Sequence, residues 1–214
     1  MDLAAIRNDY RRGTLRRGDL HADPVLQFQR WMEEAIAGGV VEPTAMSLAT
    51  VAHDGSPYLR TVLLKGLDRR QGFLFFTNLG SRKAVQIEEH AMVSLLFPWL
   101  ALERQVMVVG RATLLSRADV EAYFISRPRE SRLAAWASHQ SSELADRAAL
   151  EAGFAKAIAR FGADGPVPVP PFWGGYGVVP SRIEFWQGGS HRMHDRFEYR
   201  RGEDEAWTIH RLSP

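Results

Sequence analysis

The chain has 214 residues, of which 45% are hydrophobic, and its 27 Lys and Arg residues against 25 Asp and Glu residues give a formal net charge of +2. These values exclude a disordered chain, and the small net charge provides no global field that would attract nucleic acid. The absence of cysteine excludes disulfides, thiolate metal sites and cysteine nucleophiles, and it is compatible with the cytoplasm. We expect neither a signal peptide nor a membrane span, because the N-terminus is charged and the apolar runs are short.

The first half of the chain is predicted to contain a basic arm, a helix and a series of strands. Residues 1–23 are irregular and form the arm, a candidate flexible lid, while residues 24–214 form a single domain. A helix is predicted over residues 24–38, because Asp23 can cap it and Pro24 suits its first turn. The turn sequence "HDGS" predicts a β-hairpin. The predicted strands are 44–52, 57–66, 72–78, 91–99 and 104–116, with a short helix over 81–90.

The second half is predicted to begin with helices and to end with strands. Residues 163–175 form a proline-rich loop that cannot continue a sheet. The predicted helices are 118–128, 130–140 and 142–162, and the predicted strands are 176–187, 192–200 and 206–212. Many strands joined by short turns, with helices inserted, indicate an antiparallel barrel with flanking helices. No G-x-G-x-x-G motif opens a βαβ unit, which argues against a Rossmann nucleotide site.

The segment "EFWQGGSHRMHDRFEY", residues 184–199, gathers positive charge after two glycines. Gly188-Gly189 is predicted to form a tight turn, because glycine accepts positive φ. A strand after the turn would place Arg192, His194 and Arg196 on one face, where a row of like charges favours an anionic partner. The alternative is a solvated edge strand. His191 and His194 would lie on opposite faces, so neither a metal site nor, without a nucleophile elbow, a hydrolase is predicted.

The segment "FFTNLGSRKA", residues 75–84, predicts a phosphate site. Ser81 has the position of a helix N-cap, so Arg82 and Lys83 fall in the first helical turn. Cations at that end oppose the helix dipole, and each exposed cation destabilises the helix by about 0.3–1 kcal/mol. A bound phosphate would make the two cations stabilising, because they and the backbone N–H groups would converge on it. The alternative is a pair of solvated charges.

Two further segments carry candidate anion ligands. In "LRTVLLKG", Arg60 and Lys65 bracket an apolar strand and would point to opposite faces. In "AYFISRPRES", Tyr123 and Arg127 share a helix face and Ser131 can turn back toward them, which is a sound set of phosphate ligands. The alternative for this set is an ordinary helix terminus.

Together these segments resemble the pyridoxamine 5′-phosphate oxidase family over nearly the whole chain. The resemblance rests on the ordered stretches "RTVLLK", "TNLGSRKA", "VSLLFPW", "ERQVMVVG", "YFISRPRES", "FWGGYGV" and "EFWQGGSHRMHDRF". It implies a mainly β fold with α-helices (α+β), an FMN-binding split β-barrel of antiparallel, Greek-key-like topology. It also implies a homodimer in which each FMN lies at the subunit interface.

The resemblance also implies roles for individual residues. Phe76 departs from the tyrosine associated with its position, so a hydroxyl contact is lost. The implied FMN-binding residues are Arg60, Thr61, Val62, Leu63, Leu64, Lys65, Phe76, Thr77, Arg82, Lys83, Gln105, Gln140, Ser141, Trp186 and Arg196. The implied substrate-binding residues are Arg7, Tyr10, Lys65, Tyr123, Arg127, Ser131, Arg192 and His194. Arg192 and His194 are the implied catalytic pair, His194 as an orienter or proton acceptor, and no metal is implied.

The implied reaction is FMN-dependent oxidation of pyridoxamine 5′-phosphate and pyridoxine 5′-phosphate to pyridoxal 5′-phosphate. Molecular oxygen accepts the electrons and gives hydrogen peroxide, and the amine also yields ammonia. The alternatives are a flavin reductase-like enzyme of the same fold and a non-enzymatic FMN or pyridoxal phosphate carrier. No nucleic-acid or membrane partner is expected. Arg16 and Arg17, with Arg211, are candidates for a second anion site that binds product.

Overall fold

The computed structural model describes residues 1–5 and 9–214. Its centre is an antiparallel nine-stranded sheet in the order β2-β1-β5-β6-β7-β4-β3, with β8 paired to β7 and β9 paired to β8. The strands are β1 Ala45–Val51, β2 Pro57–Leu63, β3 Gly66–Asp68, β4 Gly72–Asn78, β5 Met92–Trp99, β6 Arg104–Leu114, β7 Trp173–Gln187, β8 Asp195–Arg201 and β9 Trp207–Leu212. The helices are α1 Pro24–Ala37, α2 Arg82–Glu89, α3 Arg117–Ser126, α4 Arg129–Ala137 and α5 Arg147–Phe161.

The long strand β7 organises the barrel because it has different partners at its two ends. Residues 173–178 pair with β4, and residues 182–187 pair with β8. Along its opposite edge, β6 pairs with residues 176–187 and has a register shift between Val109 and Gly110. A side chain at Gly110 would come within 2.3 Å of the Val179 carbonyl oxygen, so the bulge depends on glycine there.

Aromatic side chains fill the barrel core. Phe28 of α1 packs edge-on against Phe73 and Phe97, with ring centroids 4.9 and 4.8 Å apart. Trp31, one turn further along α1, packs edge-on against Phe185 at 5.2 Å. All of these side chains are at most 2% exposed. Helix α1 is therefore held to the barrel by its aromatic face, as its apolar spacing requires.

Most of the predicted elements are confirmed. Asp23 caps α1 by accepting a 2.8 Å hydrogen bond from the Val25 N–H, and Gly38 ends the helix. The predicted hairpin is β1–β2, with Gly55 at φ +84° in its turn. Strand β4 has the predicted boundaries, and all three predicted central helices are present as α3, α4 and α5. Among the described residues, no helix is long and apolar enough to cross a membrane.

The predicted strand over residues 192–200 is wrong at its start. Residues Ser190–Arg192 form a 3-10 turn, and β8 begins only at Asp195. Arg192 and His194 therefore do not share a strand face with Arg196. The Gly188-Gly189 prediction is also wrong, because Gly189 is extended with φ −133° and the left-handed residues are His191 and Arg192.

The predicted proline-rich loop is too long by three residues, since β7 begins at Trp173. The strand starts there because Trp173 and the two glycines after it pair with β4. These glycines fit a crowded position: a side chain at Gly175 would come within 2.6 Å of the Phe76 ring. The loop before them contains no strand, as its prolines predict.

The segment from Asp9 to Asp23 lies against the barrel. The backbone N–H groups of Arg11 and Arg12 both donate to Glu103 Oε2 at 2.8 Å, and the Leu15 N–H donates to Asp195 Oδ2 at 2.9 Å. The Leu15 side chain is 5% exposed and belongs to the core. This part of the arm is thus anchored by backbone hydrogen bonds and one buried side chain.

Candidate active site

A cavity of about 380 Å3 lies between the barrel and the helices α2, α3 and α4. Strands β2 and β4 line it from the barrel, and α3 and α4 line it from the helices. Polar and aromatic groups from six segments converge in it. Its lining residues are Thr61, Val62, Leu63, Lys65, Phe76, Thr77, Asn78, Lys83, Tyr123, Arg127, Ala134, Ala135, Ser138, Gln140 and Trp173.

Lys83 is the most buried cation of this cavity, with 8% of its surface exposed. Its ammonium group donates to Gln140 Oε1 at 2.6 Å, Thr77 Oγ1 at 3.1 Å and Ser81 Oγ at 3.2 Å. All three acceptors are neutral, so no carboxylate balances the charge. Burial, and then the charge of Arg60, lowers the pKa of Lys83 to about 8. A neutralising anion is the ligand that such a group favours.

Ser81 occupies the N-cap position of α2, but its side chain makes no capping hydrogen bond. It accepts from Lys83 instead, which turns this ammonium toward the cavity. The Arg82 N–H, in the first turn, donates to Ser141 Oγ at 3.2 Å, and the Arg82 guanidinium lies 5.5 Å from the Tyr58 ring centroid. The start of α2 thus carries one cation inside the cavity and one outside it.

Arg60 lies beneath this helix, outside the cavity lining. Its guanidinium donates to the Leu48 carbonyl at 3.1 Å, to Thr50 Oγ1 at 2.5 Å and to Gln86 Oε1 at 3.2 Å. Burial, and then the charge of Arg82, lowers the pKa of Arg60. Lys65, five residues later, lines the cavity. Cationic charge from two segments, at Arg60 and at the first turn of α2, therefore gathers near the start of α2, which favours an anion there.

Three parallel aromatic rings form one wall of the cavity. The rings of Phe76 and Tyr123 stack at 3.9 Å with an interplanar angle of 11°, and Trp173 lies parallel to both at 5.5 and 6.0 Å. The Arg127 guanidinium lies 4.8 Å from the Trp173 centroid. Its Nη1 is buried and has no hydrogen-bond partner among the described residues. An unpaired buried guanidinium nitrogen is costly unless an acceptor is bound.

A second group of predicted residues lies at the other end of β7. Gln105 on β6, Trp186 on β7 and Arg196 on β8 are register partners, so they share one face of the sheet. Glu184 lies on the same face and binds Arg196 through both carboxylate oxygens, at 2.8 and 3.0 Å. The Arg196 Nη1 also donates to the Ser213 carbonyl at 2.9 Å. The guanidinium is therefore fixed in orientation before any ligand binds.

His194 lies beside this face in an aromatic cluster. Its ring centroid is 4.7 Å from Trp186 and 5.7 Å from Tyr10, and Tyr10 is 5.8 Å from Trp186. Arg192 is exposed in the loop before it. Tyr10 thus connects the N-terminal arm to the second group.

Several predicted residues lie in neither group. Leu64 is buried in the barrel core, and Ser131 and Ser141 do not line the cavity. Arg7 lies outside the described residues. Arg211, a candidate for a second anion site, forms an ion pair with Asp195 at 2.5 Å, and the Arg16 N–H donates to Asp19 Oδ2 at 2.9 Å.

Sequence reasoning does not identify two residues that support these groups. Trp173 falls in the predicted proline-rich loop, but its ring lies under Arg127. Glu184 falls in the apolar flank of the predicted turn, although it is 5% exposed and holds Arg196. Strand alternation places Glu184 and Trp186 on one face, which is a signal for the second case. No local pattern signals the first.

The fold and the cationic cavity define the class of protein as a split-barrel flavoprotein, and the comparisons with known proteins agree. A family model for pyridoxamine 5′-phosphate oxidase matches residues 32–160, and one for the pyridoxine 5′-phosphate oxidase C-terminal dimerisation region matches residues 173–214. A pyridoxine/pyridoxamine 5′-phosphate oxidase from Shewanella amazonensis is 55% identical over 213 residues, covering 100% of this chain and 99% of its own. One from Escherichia coli is 53% identical over 212 residues, covering 99% and 96%.

Solved structures show the same fold. PhzG from Burkholderia lata, in complex with tetrahydrophenazine-1-carboxylic acid, superimposes with a TM-score of 0.86 at 32% identity, covering 94% of this chain and 98% of its own. An FMN-binding protein from Nostoc punctiforme, related to pyridoxamine 5′-phosphate oxidase, gives a TM-score of 0.72 at 18% identity, covering 91% and 100%. The chain belongs to the pyridoxamine 5′-phosphate oxidase family. It is an FMN-dependent oxidoreductase whose C-terminal region is a dimerisation region.

Proposed function

We propose that this chain oxidises pyridoxine 5′-phosphate and pyridoxamine 5′-phosphate to pyridoxal 5′-phosphate at a site shared by two subunits. Relatives that are 53–55% identical over their full length are oxidases of these two compounds, which supports the substrates and a role in vitamin B6 biosynthesis. When bound, FMN supplies two-electron redox chemistry, taking a hydride equivalent from the substrate and passing the electrons to molecular oxygen. We also propose that the protein is located in the cytoplasm, and cell fractionation would test this location.

The residues of the cavity fit the phosphate of FMN. Lys83 offers a buried ammonium group that has only neutral acceptors around it. After burial, the charge of Arg60 further lowers the pKa of Lys83, and the charge of Arg82 further lowers the pKa of Arg60. In this proposal Lys83 and Arg82 hold the phosphate, while Arg60 adds to the positive potential from below. Thr77 and Gln140 orient Lys83.

The aromatic wall fits the phosphate of the substrate. Arg127 has a buried nitrogen that needs an acceptor, and the Tyr123 hydroxyl and Lys65 provide further donors. Burial raises the pKa of Tyr123, which keeps its hydroxyl protonated as a hydrogen-bond donor. Trp173 fixes the guanidinium plane from one side. These residues would bind and orient the substrate so that its reacting carbon meets the flavin.

The main support for a site shared by two subunits is that the two residue groups lie at opposite ends of β7. Trp173 begins β7 and Trp186 is its last residue but one, and 13 residues at about 3.3 Å each give at most roughly 43 Å along the strand between them. Three members of the second group, Trp186, His194 and Arg196, lie within residues 173–214, the region that matches the dimerisation family model. A two-fold axis would bring the second group of one subunit to the cavity of the other. In the proposal the second group completes each cavity.

The reaction is tested with the purified dimer under anaerobic conditions. Addition of pyridoxamine 5′-phosphate should bleach the flavin absorbance, and admission of oxygen should restore it with formation of hydrogen peroxide and pyridoxal 5′-phosphate. Unphosphorylated pyridoxamine serves as the matched control, because it lacks the group that the cavity cations would bind. Yellow protein that keeps its colour with both phosphorylated compounds would refute the proposed reaction.

The shared site is tested by subunit complementation. Arg127→Ala removes a cavity ligand, and Arg192→Ala removes an expected catalytic residue in the loop beside the second group. Each variant alone should be nearly inactive, while co-expression of both should restore roughly a quarter of the wild-type sites, because a mixed dimer contains one intact site and one doubly altered site. Mixed dimers without activity would show that each site is built from one chain.

A further inference from the structure

The loop between β7 and β8 returns on itself so that His194 faces the backbone of Gly189. The Gly189 N–H donates a hydrogen bond to Nδ1 of His194, with 3.1 Å between the two nitrogens. A backbone amide has a hydrogen to donate and no lone pair to accept with. The Nδ1 atom is therefore the acceptor, and the proton of the neutral imidazole lies on Nε2.

The loop is built to hold this contact. Two consecutive non-glycine residues, His191 and Arg192, have left-handed backbone angles of φ 55° and 62°, and the Met193 N–H closes the turn on the Ser190 carbonyl at 2.9 Å. Left-handed non-glycine residues are costly and persist where surrounding contacts enforce them. A side chain at Gly189 would come within 2.3 Å of the Met193 carbonyl oxygen, so only glycine permits this approach.

The ring of His194 is also fixed in its plane. The Trp186 ring lies 4.7 Å away and the Tyr10 ring lies 5.7 Å away, so both aromatic neighbours restrict rotation of the imidazole. No described residue forms a hydrogen bond with Nε2. The nitrogen that carries the proton is thus the one that remains available for a ligand.

We infer that Gly189 is a positioning residue whose backbone N–H fixes the tautomer of His194, so that His194 presents a hydrogen-bond donor to the substrate. This inference rests on the proposed function, in which His194 contacts the substrate at the shared site. A neutral His194 with Nδ1 occupied and Nε2 protonated has no free lone pair, so it cannot accept a proton from the substrate. Of its two expected roles, the inference assigns His194 that of orienter, which donates a hydrogen bond to an electronegative atom of the substrate.

The hydrogen bond can be measured without substrate. In the holo dimer labelled with 2H and 15N, a TROSY experiment that detects 15N–15N coupling across hydrogen bonds should connect the Gly189 amide to a histidine Nδ1. The measurement is made in alkaline buffer, at about pH 8.5. The cross-peak should persist in the control His53→Gln, a substitution in the distant β1–β2 turn, and vanish in His194→Gln. A His194 Nδ1 that carries a proton would overturn the inference.

A pair of amide substitutions tests the donor role. The His194→Gln substitution can place a side-chain amide nitrogen at the position of Nε2, whereas His194→Asn places its amide at the position of Nδ1. We expect the His194→Gln variant to reduce flavin about tenfold faster than the His194→Asn variant, the difference that one hydrogen bond makes. Equal rates, or a faster His194→Asn variant, would overturn the donor role. Failure of the wild-type enzyme to reduce flavin would instead refute the proposed function, and the coupling measurement would be unaffected.

Discussion

Replacement of Lys83 with methionine should stabilise the FMN-free protein and weaken FMN binding at the same time. Lys83 is 8% exposed, and burial lowers its pKa from 10.5 to about 8. At about 1.4 kcal/mol per pKa unit, folding costs the charged amine about 3 kcal/mol. Methionine avoids this cost, but the variant also loses the hydrogen bonds to Gln140, Thr77 and Ser81. This loss offsets part of the gain, so the expected net stabilisation is about 1–2 kcal/mol.

The stability difference between the two proteins should depend on pH in a defined direction. Between about pH 8 and pH 10.5 the unfolded chain holds the Lys83 proton more tightly than the folded chain does, so the wild-type free energy of unfolding rises with pH in this window. Methionine does not titrate. The advantage of the Lys83→Met protein should therefore be fully present below pH 8 and disappear above pH 10.5.

The assay is urea denaturation of both FMN-free proteins at one protein concentration, because the stability of a dimer depends on concentration. FMN affinity is measured separately by quenching of flavin fluorescence. Removal of one charge-assisted hydrogen bond to the phosphate should weaken FMN binding about 10–100-fold. A variant that is less stable than the wild type at neutral pH, or that binds FMN equally well, would refute the reasoning.

Three further substitutions test other parts of the site. Glu184→Gln should lower the free energy of unfolding by about 1–3 kcal/mol in urea denaturation, because a buried partner of Arg196 loses its charge. The matched control is Glu205→Gln, which alters the ion pair with Arg201. The Glu205 side chain is 78% exposed, so the control should change the free energy of unfolding by less than about 1 kcal/mol. Tyr10→Ala should raise KM in steady-state assays, since its ring packs against the rings of Trp186 and His194, and an unchanged KM would contradict this role. Trp173→Leu should raise KM about tenfold or more through loss of the cation–π contact, and an unchanged KM would contradict this role.

The amino-acid sequence by itself determined most of the secondary structure. Helix α1, the β1–β2 hairpin and strand β4 depend on local signals, namely a cap at Asp23, a turn at Gly55 and β-branched or aromatic runs, and these signals act over a few residues. The ordered motifs also identified the family, which full-length relatives confirm. The position of Arg82 and Lys83 in the first turn of α2 was likewise visible in sequence, because a helix terminus is a local structure.

Only the tertiary structure decided how the cations are distributed. The Arg60 guanidinium donates hydrogen bonds to Thr50 and Gln86, and the Arg196 guanidinium donates to Glu184. These are contacts between separate elements, which no local pattern specifies. The row predicted around His194 does not form, because the chain makes a left-handed loop before β8 that closes on the Gly189 amide. The two residue groups lie at opposite ends of β7, and this separation results from strand pairing over long sequence distances. Local propensity has no information on such pairing, which the packing of the whole barrel determines.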